Sequence, residues 1–218
     1  TDSAEPSLYP HKIVIISQSK RIMSHSGSGS LVMEALMGTI LFSDYQGSNV
    51  YRVALPDGNF GWISASGIIR LDPKEEIQKS TSKKFYETAL SFNNTTHFEG
   101  GMTKYGTSME GIVYVSALIN GVKLPRNLHE QIRSGESIET IYDDDSGLLL
   151  YDKLVNGDLV FFGEEEEGAV TISDVGIIAG YGQVIYVRRS SSSIGIIRLD
   201  ENITLRNSVV GVRRLFDN

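Results

Sequence analysis

The 218-residue chain contains no cysteine, which removes disulfides, thiolate metal sites and every thiol nucleophile together. The side chains left for acid–base or metal chemistry are four histidines, His11, His25, His97 and His129, and a surplus of carboxylates. A metal centre built from these groups needs ligands at short, repeated spacings such as HxH or HExxH. The histidines show neither spacing, so no metal or other cofactor is expected. The carboxylates gather at residues 143–145 and 164–167. Such runs read as solvated loops rather than as a site.

Charge and hydropathy narrow the partners. A formal net charge of −7 and an isoelectric point near 5.1 argue against an electrostatic grip on nucleic acid or on anionic lipid. With 40% hydrophobic and 22% charged residues the chain reads as globular, with room for one large domain or two modest ones. No apolar run approaches the roughly 20 residues of a membrane span. Residues 13–16 and 148–150 are strand-sized. The opening Thr1-Asp2-Ser3-Ala4-Glu5-Pro6 does not read as a signal peptide, but as the mature end of an exported chain or as a trimmed segment.

Residues 11–72 read as short strands joined by glycine-rich turns. Apolar runs at 12–16, 36–42, 50–55 and 60–64 flank a flexible loop at 24–30, and Pro56-Asp57-Gly58 supplies a tight reversal. Strands so closely spaced predict a small all-β barrel over residues 1–73. After Pro73 the pattern turns helical over 74–92, with Ile77, Phe85 and Leu90 apolar among charges, and a polar loop follows at 93–96. A second helix is predicted from Met109 to Asn120. It is apolar on most of its surface and therefore buried on more than one side, with Gly121 ending it. Beyond Asp158 strands are predicted at 159–162, 175–179, 184–188, 194–199 and 209–215. Helices followed by a strand meander make residues 74–218 an α+β domain. The hexapeptide at 67–72 recurs at 195–200, without flanking similarity, and reads as coincidence between two amphipathic strands.

Two sets of motifs carry a family resemblance. Met37-Gly38-Thr39, Tyr51-Arg52-Val53, Pro56-Asp57-Gly58 and Gly61-Trp62-Ile63 resemble a bacterial SH3-like domain. The second set is Gly100-Gly101, Gly106-Thr107-Ser108-Met109-Glu110-Gly111, the run from Gly121 to Arg126, Gln131, Gly157-Asp158-Leu159-Val160-Phe161-Phe162 and Asp174-Val175-Gly176-Ile177. In that order they resemble the NlpC family of papain-like cell-wall endopeptidases over about residues 80–215. The resemblance implies an α+β, papain-like NlpC-type domain, helices packed on an antiparallel sheet, behind a small SH3-like barrel.

Carried over position by position, the resemblance implies an erased reaction centre. Met109 stands where the family has its nucleophilic cysteine, Asp174 where it has the general-base histidine, and Tyr186 where it has the second histidine. A thioether has no proton to lose and is no acyl-transfer nucleophile. Ser108, Glu110 and Glu99 replace further family residues around the cleft, which puts the inherited stem-peptide ligand in doubt. The expectation is a non-enzyme, an exported bacterial protein of the periplasm or envelope that binds a cell-wall peptide or a protein partner. The alternative is a hydrolase with a rebuilt site around Ser108, Glu110, Asp174 and Tyr186, with His97 near the cleft mouth. A third reading gives the function to the barrel, with Tyr45, Tyr51 and Trp62 as contacts.

Overall fold

Alternation of apolar and polar residues builds the first half of the molecule. The strands are β1 (His11–Ile15), β2 (Ser19–Met23), β3 (Leu31–Leu36), β4 (Ile40–Gln46), β5 (Val50–Ala54), β6 (Phe60–Ser64) and β7 (Ile68–Leu71). A computed structural model describes residues 9–140, 142, 149, 153–166, 168–188 and 190–217. The chain divides into two compact units, Thr1–Gln78 and Lys79–Asn218. The opening hexapeptide and residues 143–145 lie outside the described residues, as do residues 148, 150 and 167.

In the N-terminal unit the seven strands form one antiparallel sheet in the order β3-β2-β6-β5-β4-β1-β7. Ile13, Ile15, Ile22, Ala35, Leu41, Tyr51, Val53, Leu55 and Ile63 share one buried cluster, and Ile68 packs on it. Strands from both ends of the order feed that cluster, so the sheet curls around it. The predicted strand at 36–42 is instead a turn between two strands. Gly38 adopts φ +83°, and the Thr39 amide bonds back to the Leu36 carbonyl at 3.0 Å, closing the reversal. Strand β2, not predicted, is short and largely half-buried, with weak alternation, whereas β7 falls on the amphipathic strand read at 67–72. Tyr51 is a core residue and not a surface contact, whereas Tyr45 is exposed and Trp62 half-buried.

The C-terminal unit opens with α1 (Ser82–Leu90), the small hairpin β8 (Met102–Thr103) and β9 (Gly106–Thr107), α2 (Met109–Ile119) and α3 (Leu128–Gln131). It continues with β10 (Glu136–Ile138), β11 (Leu159–Glu166), β12 (Ala169–Ile178), β13 (Gln183–Arg188), β14 (Ser193–Arg198), α4 (Ile203–Asn207) and β15 (Val209–Arg214). Six of these strands form an antiparallel sheet ordered β10-β15-β11-β12-β13-β14. Sheet with few helices is the α+β class read from the sequence. Among the described residues no helix is long and apolar enough to cross a membrane.

The first helix is shorter than the 74–92 expected. The Ser80 amide is committed to the Asn120 carbonyl at 3.0 Å, and the Thr81 side chain caps the Lys84 amide, so helical bonding starts only at Ser82. Phe85 then stacks on Phe216 at 5.0 Å. The second helix matches its prediction, running Met109–Ile119 with burial on most sides. It ends in a Schellman motif: Val122 N–H donates to the Ala117 carbonyl and Gly121 N–H to that of Leu118, with Gly121 at φ +83°. The acidic run at 164–166 is not a loop. It extends β11, pairing residue by residue with 169–171, because a hairpin arm reaching past the core uses backbone bonds and leaves its side chains in water. The repeated hexapeptide supplies β7 and β14, each the last strand in the order of its own sheet.

Candidate functional site

Three glycines decide how α2 begins. A Cβ on Gly111 would overlap the Gly101 carbonyl oxygen, one on Gly101 would lie 2.5 Å from the Gly106 carbonyl oxygen, and one on Gly106 would lie 2.8 Å from the Phe98 Cβ. The β8–β9 hairpin and the first turn of α2 are thus stacked backbone on backbone, closer than any side chain permits. Ser108 is the N-cap. Its hydroxyl donates to the Gly101 carbonyl at 3.2 Å and accepts from the Gly111 amide at 3.3 Å, while its own amide bonds the same Gly101 carbonyl at 2.9 Å. Ser108 is 2% exposed and Met109, the first helical residue, 1%.

Fully buried Gln131 ties this turn to the segment after α2. Its amide donates to the Glu110 carbonyl at 3.3 Å and the Pro125 carbonyl at 2.9 Å. Arg126 returns the favour by donating to the Gly100 carbonyl at 3.1 Å. The motif residues at 100–131 are therefore one bonded scaffold around the helix start.

Asp174 comes from β12, and a bulge aims it. Phe162 pairs with Asp174 but Gly163 pairs with Ile172, so Ser173 is the extra residue, and its hydroxyl bonds the Phe162 carbonyl at 3.2 Å. A Cβ on Gly163 would overlap the Thr171 carbonyl oxygen, which is why glycine stands inside this strand. The Asp174 carboxylate accepts from the Tyr186 hydroxyl at 2.6 Å and from the Val175 amide at 2.8 Å. Tyr186, on β13, rests edge-on against Phe162, with ring centroids 5.3 Å apart at 67°.

Burial pushes the Asp174 carboxyl above the ordinary aspartate range. The Tyr186 and Val175 bonds pull it back, the Glu110 charge raises it and His97 lowers it. Of the six residues singled out in the sequence, Ser108, Met109 and Glu110 are consecutive at the start of α2, and Asp174 and Tyr186 are hydrogen-bonded. Glu110 joins the two groups through its charge. Glu99 is exposed, on a turn. His97 reaches this cluster electrostatically; its backbone bonds the Ser192 carbonyl at 2.7 Å. Among the described residues no three His, Asp or Glu side chains gather in a geometry that could hold a metal ion.

Sequence reasoning used Asp158 only as part of a motif. It is fully buried, and Arg214 grips it with two bonds of 2.8 and 2.7 Å, while the Val155 amide adds a third at 2.9 Å. The carboxylate in turn raises the Arg214 pKa. The partners lie 56 positions apart in the chain, and no local pattern marks Arg214 as the counter-ion.

The fold is that of solved NlpC/P60 family proteins. A solved NlpC/P60 family protein from Bacillus cereus ATCC 10987 superposes with a TM-score of 0.78 over 95% of this chain and 64% of its own, at 20% identity. NlpC1 from Trichomonas vaginalis superposes with a TM-score of 0.52 over 96% of this chain and 70% of its own, at 15% identity. In sequence the chain is a homologue of the gamma-D-glutamyl-L-lysine dipeptidyl-peptidase of Bacillus subtilis (strain 168). They are 29% identical over 139 residues, which is 64% of this chain. The match spans 43% of that enzyme, less than half its length. No family model matches the chain.

Proposed function

We propose that this protein is a catalytically inactive relative of murein stem-peptide (γ-D-glutamyl-diamino acid) endopeptidases that binds a cell-wall peptide or a protein partner. The carrying observation is the residue that opens α2. Cysteine-type acyl transfer needs a thiolate at that helix N-terminus, favoured by the dipole and a nearby imidazole. Here Met109 occupies it, and the chain has no cysteine anywhere.

The neighbours support the same reading. Ser108 already uses its hydroxyl as donor and as acceptor within the cap, so it has no proton poised for a base. Asp174 is held by Tyr186 and the Val175 amide rather than facing a nucleophile. We read the N-terminal unit as a bacterial SH3-like domain and the protein as exported, acting in the periplasm or at the envelope. The motif resemblance supports both readings, and the match to a gamma-D-glutamyl-L-lysine dipeptidyl-peptidase supports the second.

Two measurements test the proposal. Incubation of the purified chain with γ-D-glutamyl-diamino acid peptides, followed by chromatography, is expected to yield no cleavage. Turnover that disappears in Ser108→Ala would instead establish a rebuilt hydrolase. Isothermal titration with murein tri- and tetrapeptides is expected to give saturable heat; none at millimolar peptide removes the cell-wall ligand.

A further inference from the structure

Within the N-terminal unit one concavity gathers positive charge beside the chain's single tryptophan. Lys20, Arg21 and Met23 of β2 line it, together with Trp62 and Ser64 of β6 and His25 of the turn after β2. Trp62 lies opposite Met23 in the β2–β6 pair, and Tyr45 holds its ring edge-on at 5.6 Å and 71°. Tyr45 thus buttresses the aromatic wall.

Lys20 is placed with equal definition. Its ammonium donates to the Ser64 hydroxyl at 2.7 Å, the Ser66 hydroxyl at 3.1 Å and the Ser66 carbonyl oxygen. All three acceptors are neutral, and among the described residues no carboxylate pairs with it. Partial burial without an anion lowers its pKa from the ordinary lysine value. Arg52 in the same unit shows the contrast, since Asp44 holds it by bonds of 3.0 and 2.7 Å. Arg21 and His25 add exposed donors at the rim. A fixed, uncompensated ammonium next to a fixed indole face is arranged for an anion that carries an apolar or planar neighbour. The net charge of −7 disfavours a polyanion, so a singly charged group fits better.

We propose that this concavity binds a peptide carboxylate, with Lys20 as the anion anchor and Trp62 as the wall for the adjoining side chain. The carboxylate has two sources, a free chain end or an acidic side chain, and both offer the same chemistry. The site lies wholly in the N-terminal unit and stands apart from the reading of the Met109 region.

Because Trp62 is the only tryptophan, its emission reports on the site directly. The full chain is titrated with acetyl-Ala-Ala-Leu bearing a free carboxylate, with the amide of the same peptide, and with acetyl-Ala-Glu-Ala amide. A saturable emission change is expected from at least one charged peptide and none from the neutral amide. The charged peptide that saturates identifies the source. Lys20→Met is expected to weaken binding about tenfold or more, and Lys20→Arg to retain most of it. Arg21→Gln, at an exposed position, keeps the test available should Lys20→Met not fold: it is expected to weaken binding about threefold, and added salt to weaken it further. The proposal is overturned if neither charged peptide saturates by roughly 10 mM, if the neutral amide binds equally, or if the variants and salt leave affinity unchanged.

Discussion

Replacing Tyr186 by phenylalanine isolates one hydrogen bond at the centre of the candidate site. The hydroxyl donates to Asp174 Oδ2 at 2.6 Å, and the ring rests edge-on against Phe162, so Tyr186→Phe keeps the packing and deletes the donor. Oδ1 retains the Val175 amide at 2.8 Å. A hydrogen bond to a charged acceptor contributes about 1.5–3 kcal/mol and a neutral one about 1 kcal/mol. With Asp174 ionised, the expected cost is therefore about 2 kcal/mol, or about 4–8 °C in melting temperature for a unit of this size.

The cost should depend on pH in a definite direction. Burial raises the folded-state pKa of Asp174 above the ordinary 3.8, so the folded chain keeps this proton at pH values where the unfolded chain has released it. Stability linked to the group is full below the unfolded value and is lost as pH rises through the raised folded value. The Tyr186 hydroxyl offsets part of that loss by favouring the ionised form. Its removal costs most at neutral pH and shrinks toward about 1 kcal/mol in acid. Urea unfolding of both proteins at pH 7 and at about pH 4.5 measures the difference. A cost under about 0.5 kcal/mol at pH 7, or one that grows on acidification, refutes the reasoning.

Gly111→Ala forces a Cβ onto the Gly101 carbonyl and is expected to cost about 3 kcal/mol or more, whereas Gly27→Ala, with nothing within 4 Å of its Cβ, should leave the melting temperature unchanged within about 1 °C. Asp158→Asn leaves Arg214 facing a neutral amide in a buried setting, with an expected loss of about 3–5 kcal/mol in urea unfolding. Met109→Cys should not restore peptidase activity, since no histidine replaces Asp174 or Tyr186 to activate a thiol; release of product from a γ-D-glutamyl-diamino acid peptide by this single variant would contradict the proposed function.

What the sequence made legible was mostly what is local. The burial of α2 and its Gly121 stop follow from periodicity and cap chemistry. The helix start at Ser82 was not legible, because the competing partner of the Ser80 amide is the Asn120 carbonyl, distant in sequence. The turn at Gly38 was hidden inside an apolar run, where glycine could equally mark a bulge. Residues 164–166 were read from charge alone, yet strand pairing is a backbone property and tolerates solvated side chains. At the site, Met109, Asp174 and Tyr186 were singled out through the family resemblance. The bulge that aims Asp174 was not anticipated, although Gly163 inside a strand was its one visible signal.

The geometry also separates two kinds of residue that a motif search lumps together. Gly101, Gly106, Gly111, Gln131 and the Asp158–Arg214 pair act through backbone clearance, buried amide bonds and a desolvated ion pair. Each carries a stability cost of its own when altered, whatever reaction the site performs. Positions 109, 174 and 186 need only side chains that pack and find their hydrogen bonds unless chemistry is required of them. Here they are filled by a buried thioether and by a carboxylate and phenol that satisfy each other. Under the proposed function, a scaffold held by folding energy persists around a centre released from catalysis, and the polar residues placed there had only to find hydrogen-bond partners.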